Sequence, residues 1–424
     1  MNDSASNRSL FFVSFATLFV EIMLVRWIGT EVRVFAFFQN LALIACFLGF
    51  GLGCYHAASR GSVATSMVAI ALLVAFVKLP LESWQVFLND LSSLLGFSRN
   101  SVFWMPNRDL GVSPLLLTFI SIGILAVFLL LLVIILTPLG QWVGHYLDCA
   151  GDPIRAYSVN LGGSLAGVLA FALLAFLWLP PAVWFALAIG AMLVFRKPDK
   201  KTVAIAIASA VTVVVMLQAD RNKDWKTTWS PYQKVVVRPM GRGEYYVEVN
   251  NSVYMAINNM TPEFFKGTSD ASRLAASPYN SPLRFARKLD RVLVVGSGGG
   301  NDVAGALRAG AAHVDAVEID PVILSIGRKL HPEKPYSSPR VRTIVNDARA
   351  VFRQSSDKYD AIIFGLLDSH THFSGYSNMR IDNYVYTEES LRDARSLLAP
   401  GGILISSSKC ASRGRGWEIA STRC

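Results

Sequence analysis

One stretch limits what this chain can fold into more than any other: Arg291 to Pro321, RVLVVGSGGGNDVAGALRAGAAHVDAVEIDP. Arg291 to Val295 is a short apolar, β-branched run of the kind buried inside a parallel sheet. Gly296, Gly298 and Gly300 follow without a spacer and, lacking Cβ atoms, let the backbone turn tightly and approach a ligand. A helix is expected from Asp302 to Arg308, its N-terminus facing that ligand. A second strand is expected from Val314 to Ile319, with Glu318 near its end. From Gly298 to Glu318 (318 − 298) is 20 residues, the spacing at which an acidic side chain accepts hydrogen bonds from ribose hydroxyls. A lone glycine loop also closes ordinary turns; the Glu318 spacing is what turns it toward a nucleoside. A dinucleotide loop wants a third glycine where Asn301 stands, whereas Gly296-x-Gly298-x-Gly300 fits an S-adenosylmethionine loop.

The two halves of the chain differ in composition. Of 40 Lys+Arg and 30 Asp+Glu in 424 residues, residues 1 to 220 hold 12 and 10, leaving 28 and 20 for residues 221 to 424. The first half is therefore nearly uncharged and accounts for the mean hydropathy of +0.40, while the second has the composition of a water-soluble domain with net charge 28 − 20 = +8. That charge suits a surface near anionic lipid headgroups as well as a merely basic exterior. No basic stripe is interleaved with aromatics, so no nucleic acid partner is expected. The five cysteines, Cys46, Cys54, Cys149, Cys410 and Cys424, form no CxxC pair, so neither a zinc site nor a disulfide framework is expected.

Apolar segments approaching the roughly 20 residues that cross a bilayer fall at 10–29, 34–57, 63–79, 113–137, 155–178, 181–195 and 201–219. The first continues past the length of a signal-peptide core and is read as a retained span. Gly49-x-x-x-Gly53 and Gly163-x-x-x-Gly167 predict close helix packing. Glu21 and Arg26 are costly at membrane depth and face either each other, an interface or a pathway. The expectation is a multi-span, α-helical integral membrane domain of about seven spans over 1–220, in an inner or plasma membrane, with the soluble half cytoplasmic. The positive-inside count divides, because Arg26, Arg33, Lys78, Arg99 and Arg108 favour that orientation while Arg196, Lys197, Lys200 and Lys201 oppose it.

Between 221 and 260 the pattern becomes β-like, with strands expected over Tyr232–Arg238, Glu244–Val249 and Val253–Asn258 and a hairpin turn at Asn250-Asn251. From 261 onward strands and helices alternate: Val341–Val345, a helix from Asp347, Tyr359–Phe364, a long loop, a helix from Thr387, a turn at Ala399–Gly402 and Ile403–Ser406. The fold class predicted is a doubly wound α/β (methyltransferase-like Rossmann) domain behind a small antiparallel sheet.

With those residues in view, 229–406 resembles the spermidine synthases, aminopropyltransferases within the S-adenosylmethionine-dependent methyltransferase fold. The resemblance rests on Tyr232-Gln233, VLVVGSGGGND, VEID with Glu318, VNDAR with Asp347, and YDAIIF followed by Asp368; FVEIMLVR looks like the first span of membrane-embedded relatives. It implies that S-adenosylmethionine or its decarboxylated form is bound as co-substrate by Gly296, Gly298, Gly300, Glu318, Asp347 and Gln233, without a metal. Asp347 would accept from the adenine amine, or would simply cap its helix. Asp368 would be the catalytic carboxylate facing a small amine or polyamine acceptor.

Two positions depart from the family pattern. Gly299 replaces an aspartate that pairs with the aminopropyl amine, and Gly365 replaces the aspartate that deprotonates the acceptor. Slow putrescine aminopropylation, partly restored by Gly365→Asp, is the expectation. Asp368-Ser-His370-Thr-His372 offers three metal-ligand types without a fourth, and Tyr376, Asp382 and Tyr384 either line an acceptor pocket or pack the loop. A methyltransferase, and a nucleoside or polyamine sensor coupled to membrane transport, stay open beside aminopropyl transfer in polyamine biosynthesis; a homo-oligomer is compatible with each. The tail 410–424 has no period, and the expectation is that it is poorly ordered, that later strands are missing and that the sheet ends in an open edge.

Overall fold

The computed structural model describes residues 3–95, 113–195, 198–219, 224–261, 263–265, 277, 279–365 and 384–406. The chain divides into two compact units, the first from Met1 to Lys223 and the second beginning at Asp224.

The first unit is helical: α1 (Asp3–Glu31), α2 (Arg33–Phe37), α3 (Gln39–Tyr55), α4 (Val63–Val77), α5 (Glu82–Leu94), α6 (Pro114–Asp148), α7 (Pro153–Phe176), α8 (Pro181–Val194) and α9 (Lys200–Ala219). Each apolar segment read from the sequence is helical, but only four helices among the described residues have the length and hydropathy to cross a membrane: Ser6–Glu31, Leu115–Asp148, Pro153–Phe176 and Lys200–Ala219. The second segment is broken, because Phe38 leaves helical geometry (φ −124°, ψ 63°) between α2 and α3. Helix α5 was not expected, since it is amphipathic rather than uniformly apolar; Trp84 and Gln85 donate to the carbonyls of Phe76 (2.7 Å) and Val77 (3.0 Å), which end α4.

Both glycine pairs meet a neighbouring backbone. A Cβ on Gly49 would lie 2.6 Å from the carbonyl oxygen of Val133, and Gly53 abuts Thr137, so α3 lies directly on α6. Gly163 and Gly167 abut the carbonyls of Phe11 and Phe15 in the same way, seating α7 on α1. Ser14 Oγ donates to Asn160 Oδ1 at 2.7 Å across that second contact. The outer face of α7 is apolar at helical spacing: Leu161, Leu165, Leu169 and Leu173 are each more than half exposed. Glu31 and Lys78, both buried, pair at 2.8 Å, and the Arg26 guanidinium lies 5.2 Å from the ring centre of Trp184.

The second unit opens with an antiparallel sheet, β1 (Lys226–Trp229), β2 (Lys234–Gly241), β3 (Glu244–Val249) and β4 (Ser252–Ile257), in sequential order. Strand β1 is a fourth strand beyond the three expected. Asn250 and Asn251 both take positive φ (48° and 62°), the geometry of a two-residue hairpin. A five-stranded parallel sheet follows, built from β5 (Arg291–Val295), β6 (His313–Glu318), β7 (Val341–Val345), β8 (Tyr359–Phe364) and β9 (Leu398–Ser406) in the order β7-β6-β5-β8-β9. The helices between them are α10 (Asn301–Arg308), α11 (Pro321–Leu330), α12 (Ala348–Gln354) and α13 (Glu388–Ser396).

Alternation along β5 divides the core into two layers. Val292 and Val294 pack with Val303, Ala306 and Leu324 of α10 and α11, while Leu293 and Val295 pack with Val351, Phe352 and Ala394 of α12 and α13. This is a methyltransferase-like Rossmann arrangement. The turn expected at Ala399–Gly402 lies inside β9 instead, absorbed as a register shift opposite Tyr359 and Ala361, with Gly401 at φ 78°. Among the described residues β9 is an edge strand; the tail 410–424 lies outside them.

Candidate active site

Strand order reverses between β5 and β8, and the crevice at the carboxyl ends of such strands is where open α/β sheets hold their ligands. The glycine loop stands at this point. Gly296, Gly298 and Gly300 have φ of 68°, 52° and 104°, in the left-handed region that disfavours any side chain. The Ser297 N–H donates to the Val317 carbonyl at 2.9 Å, and the Gly365 N–H donates to that of Val295 at 3.0 Å, so the loop is fixed to the end of β6 and the end of β8 to that of β5.

Glu318 lies beneath the loop, 7% exposed. Its Oε2 accepts the Gly298 N–H at 2.9 Å and its Oε1 accepts the Asp320 N–H at 3.0 Å. Burial pushes its pKa up to about 7, against the lowering effect of those backbone donors. Asp347, next along the strand ends, caps α12: its Oδ1 accepts the Ala350 N–H at 3.0 Å. Of its two sequence readings, the cap is the contact present. Gln233 donates its side-chain amide to Asp320 Oδ2 at 3.1 Å, beside the Ser230 hydroxyl at 2.7 Å. It thereby ties the leading sheet to a residue that itself caps α11 through the Val322 N–H at 2.9 Å, two positions after Glu318.

Asp368, His370, His372, Tyr376 and Asp382 lie outside the described residues. Tyr384 is described; its ring is 4.3 Å from the Arg349 guanidinium. Among the described residues no group of three or more His, Cys, Asp or Glu gathers as metal ligands.

Several residues that shape the loop carried no motif. Strand β4 lies over it: a Cβ on Gly298 would be 3.2 Å from Met255 Sδ, and one on Gly299 only 2.8 Å from Ile257 Cγ1. Asn301 joins loop to strand, donating to the Ala256 carbonyl at 2.7 Å and accepting the Asn258 N–H at 3.1 Å. Its signal was visible in the sequence, as the non-glycine where a dinucleotide loop has its third glycine. From the other side the Tyr336 hydroxyl reaches the carbonyls of Ser297 (3.0 Å) and Gly298 (2.8 Å), and Tyr336, Pro335 and His331 fill the space beside Gly300.

The two departures thus have a steric account. An aspartate at 299 would collide with Ile257. At 365 a Cβ would lie 2.9 Å from the Gly296 carbonyl oxygen and 3.3 Å from Asp302 Oδ2, so Gly365→Asp forces a backbone apart and sets a second carboxylate against the first. This contact weighs against the expected partial restoration of activity by that substitution. Asp302 itself is desolvated, which pushes its pKa up to about 6.

Residues 279–414 match the spermine/spermidine synthase domain. The chain is 32% identical over 143 residues to a polyamine aminopropyltransferase of Vibrio vulnificus (strain CMCP6), covering 33% of this chain and 45% of that protein. It is 28% identical over 123 residues to a polyamine aminopropyltransferase of Korarchaeum cryptofilum (strain OPF8), covering 28% and 36%. A crystal structure of spermidine synthase from Thermotoga maritima aligns with 41% of this chain and 53% of its own at 14% identity and a TM-score of 0.31. The chain spans less than half the length of the curated relatives named here. The spermine/spermidine synthase match takes in the stretch that builds the glycine loop, Glu318 and Gly365.

Proposed function

We propose that the α/β unit binds an S-adenosyl nucleoside, decarboxylated S-adenosylmethionine first, and transfers its aminopropyl group to a small amine. The observation that carries this reading is the placement of the glycine loop and the buried Glu318 at the strand-order reversal, within a stretch that matches the spermine/spermidine synthase domain. The sulfonium is already an activated electrophile. The amine lone pair attacks the aminopropyl carbon next to sulfur, the C–S bond breaks toward sulfur, methylthioadenosine leaves and the amine gives up a proton. The protein's part is to align the two reactants and take that proton. Gly296, Gly298, Glu318 and Asp347 hold the nucleoside in this reading, Gln233 supports Glu318 through Asp320, and Asp368 meets the acceptor.

The helical unit is proposed to lie in a bilayer, with the α/β unit on the cytoplasmic side where the nucleoside is made. Four long apolar helices and the outward leucines of α7 support this. Methyl transfer is the second reading, favoured by Gly299, where no carboxylate stands to repel the carboxylate of intact S-adenosylmethionine. Titration calorimetry on the detergent-solubilised chain tests nucleoside binding, and Glu318→Ala is expected to weaken it by about 1.5–3 kcal/mol, the worth of hydrogen bonds to a charged acceptor. Equal affinity in both proteins removes Glu318 as the anchor. Mass spectrometry of the products separates the readings: methylthioadenosine marks aminopropyl transfer, S-adenosylhomocysteine methyl transfer.

A further inference from the structure

We infer that Asp302 is a further carboxylate, in addition to Asp368, that receives the acceptor amine, and that position 365 is glycine because Asp302 uses the space a side chain there would need. The inference rests on the transferase reading above and assigns a residue to it. Asp302 is in the first turn of α10, directly after the glycine loop. Its Oδ2 lies 3.3 Å from where a Cβ on Gly365 would stand, within the region a side chain at 365 would enter. The carboxylate therefore sits between the ends of β5 and β8, at the reversal of strand order, from a different element and a distant part of the sequence.

Its surroundings suit a cationic amine. Gly296 presents a carbonyl oxygen 2.9 Å from the same Cβ position, an acceptor flanking the carboxylate that favours a donating ammonium group beside it, while the Val295 carbonyl, 3.4 Å away, is already taken by the Gly365 N–H. Desolvation pushes the Tyr279 phenol up to about 12, and the nearby Asp302 carboxylate adds to that rise. The desolvation that lifts Asp302 toward neutrality leaves a carboxylate whose charge costs free energy until a cation arrives. In the reaction Asp302 takes a proton from the bound ammonium and frees its lone pair, which attacks the sulfonium carbon as the C–S bond breaks toward sulfur, leaving methylthioadenosine and a protonated secondary amine.

The experiment uses the full chain in detergent with decarboxylated S-adenosylmethionine and a panel of amines including putrescine. Asp302→Asn is expected to keep methylthioadenosine affinity within about twofold while kcat falls about 10²–10⁴-fold, the usual contribution of a positioned base. Asp302→Glu, which keeps the charge, should recover part of the rate. Turnover of the Asn variant within threefold of wild type, with nucleoside binding intact, overturns the assignment. A wild type that binds nucleoside but releases no product with any amine refutes the transferase reading instead. The affinity of the methylthioadenosine-loaded protein for putrescine then judges Asp302 alone: loss of that affinity in Asp302→Asn upholds it, and equal affinity, or none in the wild type, overturns it.

Discussion

Both units bury carboxylates, and they treat them in opposite ways. In the helical unit Glu31 is held by Lys78 at 2.8 Å, an anion and a cation supplied by the same fold. In the α/β unit Glu318 is held by two backbone N–H groups, and Asp302 stands beside carbonyl oxygens, with no lysine or arginine among the described hydrogen-bond partners of either. A buried charge compensated internally serves the architecture, whereas one left to backbone dipoles at a strand-order reversal is consistent with the ligand-binding role proposed above. The glycines divide along the same line. In the helices they let backbones touch in ordinary helical geometry, whereas in the loop they are needed for positive φ as well as for the approach of β4.

The largest expected effect tests the internal pair. Lys78→Met removes the cation from a buried glutamate and is expected to destabilise the helical unit by about 3–5 kcal/mol, with much of the loss recovered in Glu31→Gln/Lys78→Met. Thermal unfolding in detergent measures both. If the single variant melts with the wild type, the pair is not structural and the contrast with Glu318 and Asp302 fails.

The second effect concerns pH. Asp302 and Glu318 have folded pKa values of about 6 and about 7, above their ordinary 3.8 and 4.5. Protonation is thus favoured in the folded state: their contribution to stability is complete below about pH 4 and is lost as pH rises to about 7. His331 runs the other way: burial, with Arg308 beside it, lowers it to about 4, so its contribution is complete above its ordinary 6.5 and is lost as pH falls toward 4. Asp302→Asn should therefore match wild type at pH 4 and exceed it at pH 8, by at most about 3 kcal/mol from a shift of roughly two units and less with solvent screening. Urea unfolding at the two pH values is the measurement; a variant equally or less stable at pH 8 shows that the carboxylate is not desolvated in solution.

The smallest effect isolates the loop. Asn301→Ala removes two hydrogen bonds to β4 and should cost about 1–3 kcal/mol, read as faster amide exchange at Asn258 and in the glycine loop with little change at β5. Unchanged exchange in the loop means that Met255 and Ile257 hold it by packing alone.

By itself the sequence determined whatever depends on neighbours along the chain. Apolar run length, β-branched strands, the Asn250-Asn251 hairpin and the Gly298-to-Glu318 spacing each reflect a local backbone requirement, and they sufficed for the α/β order and for Glu318 under the loop. The amphipathic α5 escaped because it lacks the uniform apolarity sought in that half, the strand β1 because its four residues are too few to show a period, and Pro400-Gly401-Gly402 read as a turn because the pairing of β9 with β8 is not local information. Tertiary structure alone decided which distant residues share the crevice. Ile257 excludes a side chain at 299, Tyr336 reaches the loop carbonyls, and Asp302 stands where position 365 has none, because a parallel sheet brings the ends of strands far apart in sequence to one edge, and only its strand order says which ends are adjacent.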